Sequence, residues 1–153
     1  MGIIISSFLG CGKTYLTSQY GDKVKILDAT DFSRESIVDE VMGQIDKYDI
    51  VFIGSDNGTR GLFDERNIDY DVFYPSESRR GEFIEKQVAK RSKPNIIREL
   101  DNNFYAMVKE IDDSEAPNCY KHKLGNAGEF IGNSDVIIRY INSLKSNTNN
   151  EQS

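Results

Sequence analysis

Apolar residues in this chain fall in short continuous runs separated by stretches of helical spacing. Ile3 to Ile5, Ile50 to Ile53 and Val72 to Tyr74 are apolar at consecutive rather than alternating positions, and Val24 to Leu27 is broken only by Lys25. That is the pattern of strands buried on both faces of a parallel sheet. Between the second and third runs, Ile37, Val38, Val41, Ile45 and Tyr48 recur at three- and four-residue intervals. This predicts a helix over 33–47, with Asp31 or Ser33 as its N-cap. Arg60 to Arg66 predicts a shorter helix. Beyond the fourth run the pattern predicts a helix near Glu82 to Arg91. After Pro94, Ile96, Ile97, Leu100, Phe104, Val108 and Ile111 then form one apolar stripe. Cys119 to Leu124 reads as a last strand, Asn126, Gly128 and Gly132 as turns, and Val136 to Leu144 as a closing helix. The final stretch, 146–153, holds no apolar residue and predicts a structureless tail. No repeat or linker divides the chain, so the expected organisation is one α/β domain over 1–145, with helices on both faces of the sheet.

Composition narrows the setting. The 153 residues suit a single core. No apolar run approaches the ~18 residues of a membrane span, and the opening MGIIISSFLG lacks the basic region of a secretory signal. Two cysteines, Cys11 and Cys119, make neither a disulfide framework nor a zinc set, which points to a reducing cytoplasm. A net charge of −6 disfavours membranes and long nucleic acid as partners. The charge is uneven, because between Arg79 and Lys93 six basic residues face only two acidic ones.

The most specific chemistry lies in SFLGCGKT, Ser7 to Thr14. It matches the phosphate-binding pattern GxxxxGK[ST] except that Ser replaces the opening Gly, and it stands between a predicted strand and a helix. In such a loop successive backbone N–H groups wrap a phosphate, and the helix N-terminus adds its positive end. Gly10 and Gly12 allow the close approach, Lys13 reaches the β- and γ-phosphates, and the Thr14 hydroxyl ligates Mg²⁺. Cys11 reads as a space-filler inside the loop rather than a nucleophile. Asp28 and Asp31 follow the second strand, where an open parallel sheet forms its ligand crevice. An acid there could bind Mg²⁺ or take a proton from a hydroxyl substrate, and each could equally close a turn or cap a helix. Asp56 follows the third strand as a second metal-associated carboxylate, with Arg60 at the same rim. The cationic stretch could form an arm that closes over phosphates. His122, the sole histidine, reads as a packing or surface residue.

With these residues in place, the runs IIISSFLGCGKTYL, ILDATDF, IVFIGSD with Arg60, and VFYPSESRRGEFIEKQVAKR resemble small phage-encoded P-loop nucleotide kinases of the nucleoside monophosphate kinase-like group. The resemblance extends from Gly2 to about Ile131. It implies a three-layer P-loop NTPase fold with a five-stranded parallel sheet in 2-3-1-4-5 order, a basic helical lid over about 76–93, and residence in a host cytoplasm. It further implies ATP and Mg²⁺ held by Gly10, Cys11, Gly12, Lys13, Thr14 and Tyr15, and metal ligation by Thr14, Asp28 and Asp56. Lys13, Asp28, Arg60, Arg80 and Arg91 would serve transfer to a small nucleotide acceptor. The favoured activity is phosphorylation of a nucleoside or deoxynucleoside monophosphate, whose oxyanion needs positioning and cations rather than a base. A hydroxyl kinase acting on a DNA or RNA 5′ end, a modified DNA base or a metabolite, with Asp28 as base, is the alternative. A nucleotide-binding module without kinase activity is the third reading.

Overall fold

A computed structural model describes the backbone of residues 2–152 and the side chains of residues 2–144. The tail expected to be structureless over 146–153 is instead helical in its backbone as far as Gln152. In chain order the elements are β1 (Ile3–Ser7), α1 (Lys13–Tyr20), β2 (Ile26–Asp28), α2 (Ile37–Gln44), β3 (Ile50–Gly54), α3 (Asn57–Asp64), β4 (Tyr70–Pro75), α4 (Arg80–Ala89), α5 (Pro94–Asp112), β5 (Cys119–Leu124) and α6 (Asp135–Gln152).

The five strands form one sheet in the order β2-β3-β1-β4-β5, every neighbouring pair parallel. Residues on both faces of the central strands are buried: Ile4, Ile5 and Ser6 on β1, Ile50 to Ile53 on β3 and Val72 to Tyr74 on β4. Burial on consecutive residues means that both sheet faces are covered, which is why these strands are written as unbroken apolar runs. The chain leaves β1 toward β2 and β3 on one side and then crosses to β4 on the other. The loop after β1 therefore sits where the direction of winding reverses, and all strands end at that same rim.

Several boundaries differ from the sequence pattern. The helix expected over 33–47 is α2 followed by a 3₁₀ turn, Ile45–Lys47, and Ser36 rather than Asp31 or Ser33 occupies its N-cap. The intervening residues instead form turns, with Phe32 N–H donating to the Ala29 carbonyl and Ile37 N–H to the Ser33 carbonyl. α3 begins three residues before Arg60 because Asp56 caps it, its carboxylate accepting from the Thr59 N–H. The basic segment also departs from a solvated arm. Phe83 of α4 is fully buried against Phe8, Phe104 and Phe130 at ring separations of 6.1, 5.9 and 5.8 Å. Each such aromatic pair contributes about 0.5–1.5 kcal/mol beyond its buried area, so α4 is seated on the core. His122 likewise serves packing, stacked on Phe73 at 4.7 Å with Nε2 2.7 Å from the Asp71 carboxylate.

Candidate phosphate-binding site

The loop between β1 and α1 takes its shape from two glycines. Gly10 has φ 88° and Gly12 φ 96°, both in the left-handed region that side chains avoid. A Cβ on Gly10 would meet Gln87 Nε2 at 3.0 Å and the Phe83 ring at 3.3 Å, and one on Gly12 would meet Phe130 Cβ at 3.1 Å. The loop is thus pressed between α4 and the segment entering α6. Hydrogen bonds fix it there. Cys11 N–H donates to the Phe8 carbonyl (3.0 Å) and Ile131 N–H to the Cys11 carbonyl (2.9 Å). The Cys11 thiol is buried, donates to the Phe73 carbonyl, and is pushed up in pKa by burial, so it fills space and carries no thiolate. Ser7 completes β1, paired with Gly54 and Phe73, and does not have positive φ. The opening position of the motif therefore does not require glycine in this chain.

Two cations stand behind the loop. Lys86 Nζ donates to the Gly10 carbonyl (3.3 Å) and lies 3.7 Å from the centre of the Phe130 ring. Burial, and then the neighbouring Lys90, lower its pKa. Arg79 is buried, with Nε and Nη2 on the two carboxylate oxygens of Glu82 and Nη1 donating to the Leu124 and Glu129 carbonyls. Its guanidinium lies 5.0 Å from both the Phe83 and Phe130 rings. Arg79 locks the loop's backing and is not free to meet a ligand.

In front of the loop is a cavity of about 660 Å³, within the usual size range for ligand sites. Residues 7–14 line it, together with Thr30 and Asp31 after β2, Gly54 to Asn57 after β3, and one wall of α4 and α5. The three loops converge because parallel strands end on one edge. Lys13, at the first position of α1, is held by the Asp28 carboxylate at 2.9 Å and by Thr30 Oγ1 at 3.0 Å. Asp28 also accepts from the Thr30 N–H and hydroxyl. Burial alone would raise the Asp28 pKa, but the bonds from Thr30 and Lys13 outweigh it and hold the carboxyl below its ordinary value. Asp56 behaves alike: burial raises it, while the Thr59 N–H and hydroxyl and the Arg34 guanidinium at 2.7 Å bring it below the ordinary carboxylate range.

The sequence-predicted residues divide accordingly. Gly10, Cys11, Gly12, Lys13, Thr14 and Asp56 line the one cavity. Asp28 reaches it through Lys13. Tyr15 points away, half exposed, its hydroxyl accepting from Gln19. Arg60 is buried beside the cavity, its Nε donating to the Ser55 carbonyl and its Nη2 paired with Glu110, and it lines an adjoining hollow with Asp64 and Lys109. Arg80 is bound to the Asp101 carboxylate and carbonyl and lies over Tyr105, away from the lining. Arg91, at φ 55° after the end of α4, is also outside it; Lys90 is the cation of this segment that lines the cavity. The expected lid cations are therefore replaced at the site by one lysine.

Among the described residues no group of three or more His, Cys, Asp or Glu could hold a metal ion by itself. A magnesium ion that arrives with phosphates needs only one or two protein ligands. Thr14 and Asp56 line the cavity and suit that role once Asp56 exchanges its pair with Arg34, whereas Asp28 does not line it and is paired with Lys13. Phe130, Gln87, Glu99, Glu110 and the apolar wall of Ile96, Met107 and Ile111 belong to the site although no motif marks them. The helical spacing of the α5 stripe did expose Ile96 and Ile111. No protein-family model matches the chain, and no curated protein matches it in sequence.

Proposed function

We propose that the chain is an ATP-dependent phosphotransferase of the P-loop NTPase fold. The observation that carries this reading is the left-handed pair Gly10 and Gly12 between β1 and α1, in a loop that lines one cavity together with Lys13 and Thr14 at the start of α1. The 2-3-1-4-5 parallel sheet supports it by placing that loop at the winding reversal. In this reading the loop N–H groups and Lys13 hold the β- and γ-phosphates, and Thr14 with Asp56 would hold Mg²⁺, which neutralises charge on the transferring group when bound. The chain's own work is positioning and electrostatic stabilisation, carried out where Phe8, Ile96, Met107 and Ile111 limit water.

To be released for a phosphate, Lys13 must exchange its bonds to Asp28 and Thr30. Nucleotide binding would therefore free the loop after β2 as well as fill the loop after β1. Incubation with γ-labelled ATP, Mg²⁺ and a pool of nucleoside monophosphates, nucleosides and 5′-hydroxyl oligonucleotides should move the label into an organic product. Label released only as inorganic phosphate would instead favour a nucleotide-hydrolysing module.

A further inference from the structure

Resting on the phosphotransferase reading, we propose that Gln87 binds the terminal phosphate of the nucleoside triphosphate through its side-chain amide, and so lets the site tell a triphosphate from a diphosphate. Gln87 is only 6% exposed, yet it lines the same cavity as the loop residues Gly10 to Thr14. Its Nε2 stands 3.0 Å from where a Cβ on Gly10 would lie. That nitrogen has no hydrogen-bond partner among the described residues, and it is not sealed from solvent. A glutamine buried this deeply ordinarily has both ends of its amide paired. Here the unpaired end is a donor that borders the cavity beside the glycine loop.

The other end of the amide is fixed. Ser92 Oγ donates to Gln87 Oε1 at 2.6 Å, which leaves the NH₂ group on the side of Gly10. Ser92 is brought there by the way α4 ends: Ser92 N–H donates to the Gln87 carbonyl and Arg91 N–H to the Val88 carbonyl, both at 3.0 Å. This pair of bonds closes a helix around a left-handed residue that is usually glycine. In this chain the position is Arg91, at φ 55°, which a side chain disfavours. The chemistry has a use for such a donor. A transferring phosphoryl group spreads its charge over three equatorial oxygens. In the proposed reading Lys13, with the Mg²⁺ that Thr14 and Asp56 would hold, serves that group from α1 and β3. Arg79 and Lys86 of the basic stretch are engaged behind the loop, on Glu82 and on backbone carbonyls. Gln87 supplies a donor from the α4 side that is oriented before the ligand arrives.

Calorimetric titration of Mg–ATP and of Mg–ADP into the full chain and its variants tests this, with thermal melts to establish that each variant is folded. Gln87→Met keeps the length of the side chain and removes the donor. It should weaken Mg–ATP binding by about tenfold, as expected for the loss of one hydrogen bond to a charged group, and leave Mg–ADP within about twofold. Gln87→Glu keeps the shape, puts a carboxylate beside the phosphate, and should weaken Mg–ATP at least as much; it carries the same comparison if the methionine variant does not fold. Ser92→Ala should produce a smaller loss confined to Mg–ATP, restored by Ser92→Thr. Equal losses for the two nucleotides, or no loss for either in a folded Gln87 variant, overturn the inference. Binding of Mg–ATP to the wild-type chain and its loss in Lys13→Ala report separately on the phosphotransferase reading.

Discussion

On the loop side of the cavity, Gly10 and Gly12 lie against Phe83, Gln87 and Phe130, with buried Arg79 saturated by Glu82 and two carbonyls behind them. On the carboxylate side, Asp28, Asp56 and Glu110 are held by Lys13, Arg34 and Arg60, mostly through partly exposed pairs. The loop side depends on close packing and backbone geometry, which have one solution. The carboxylate side depends on ion pairs that a charged ligand can exchange, each at modest cost because water screens them. A site that must present a fixed cradle to the donor and rearrange around an acceptor would divide its construction in this way.

Substitutions on the two sides should therefore differ in kind. The largest effect is expected from Arg79→Ala, which strips Glu82 and the Leu124 and Glu129 carbonyls of a buried partner. It should cost about 3–5 kcal/mol of stability, read by denaturant unfolding, and Arg79→Lys should recover only part because it cannot form the bidentate pair. Gly12→Ala comes next. Forcing a side chain into φ 96° and onto Phe130 should cost about 1–3 kcal/mol and weaken ATP binding, checked by unfolding and calorimetry together. Asp28→Asn should do the opposite at the ligand. Loss of a partly exposed ion pair worth about 0.2–1 kcal/mol frees Lys13 and should tighten ATP binding by a few-fold at most. If that variant instead abolishes ATP binding, the two sides are not separable as described.

The smallest effect is pH dependence, carried on the carboxylate side by Asp28 and Asp56 and on the loop side by Glu82, which Arg79 holds below its ordinary value. Asp28 and Asp56 have pKa values lowered in the folded state, so the stability they contribute is complete above their ordinary values, near about 3.9. It is lost as pH falls through their lower folded values. The acid limb of the melting-temperature profile should flatten in an Asp28→Asn, Asp56→Asn double variant and remain in Gly12→Ala.

The same contrast explains what the sequence made legible. The glycine loop is local: strand, motif and helix are contiguous, so Gly10, Gly12, Lys13 and Thr14 could be read directly, and the last strand matches Cys119–Leu124 to the residue. The carboxylate side is assembled from segments as far apart as Asp31 and Glu110, and nothing local marks their meeting. Arg79 and Arg80 are adjacent and chemically identical, yet one is buried and the other sits on the surface over Tyr105. The basic run could not distinguish them, because the partners that take Arg79 inward are carbonyls of residues 124 and 129. Phe130, which backs both Gly12 and Lys86, was hidden for the same reason.

In the proposed function, residues 7–14 form a nucleoside triphosphate cradle in which Lys13 meets the phosphates. Calorimetric titration of Mg–ATP into the wild-type chain and into Lys13→Ala tests it most directly. The account predicts one saturable site in the wild type and at least about a tenfold loss of affinity in the folded variant, as expected when a charge-assisted contact worth about 1.5–3 kcal/mol is removed. Equal affinity in the two chains, or no binding in the wild type, would contradict it.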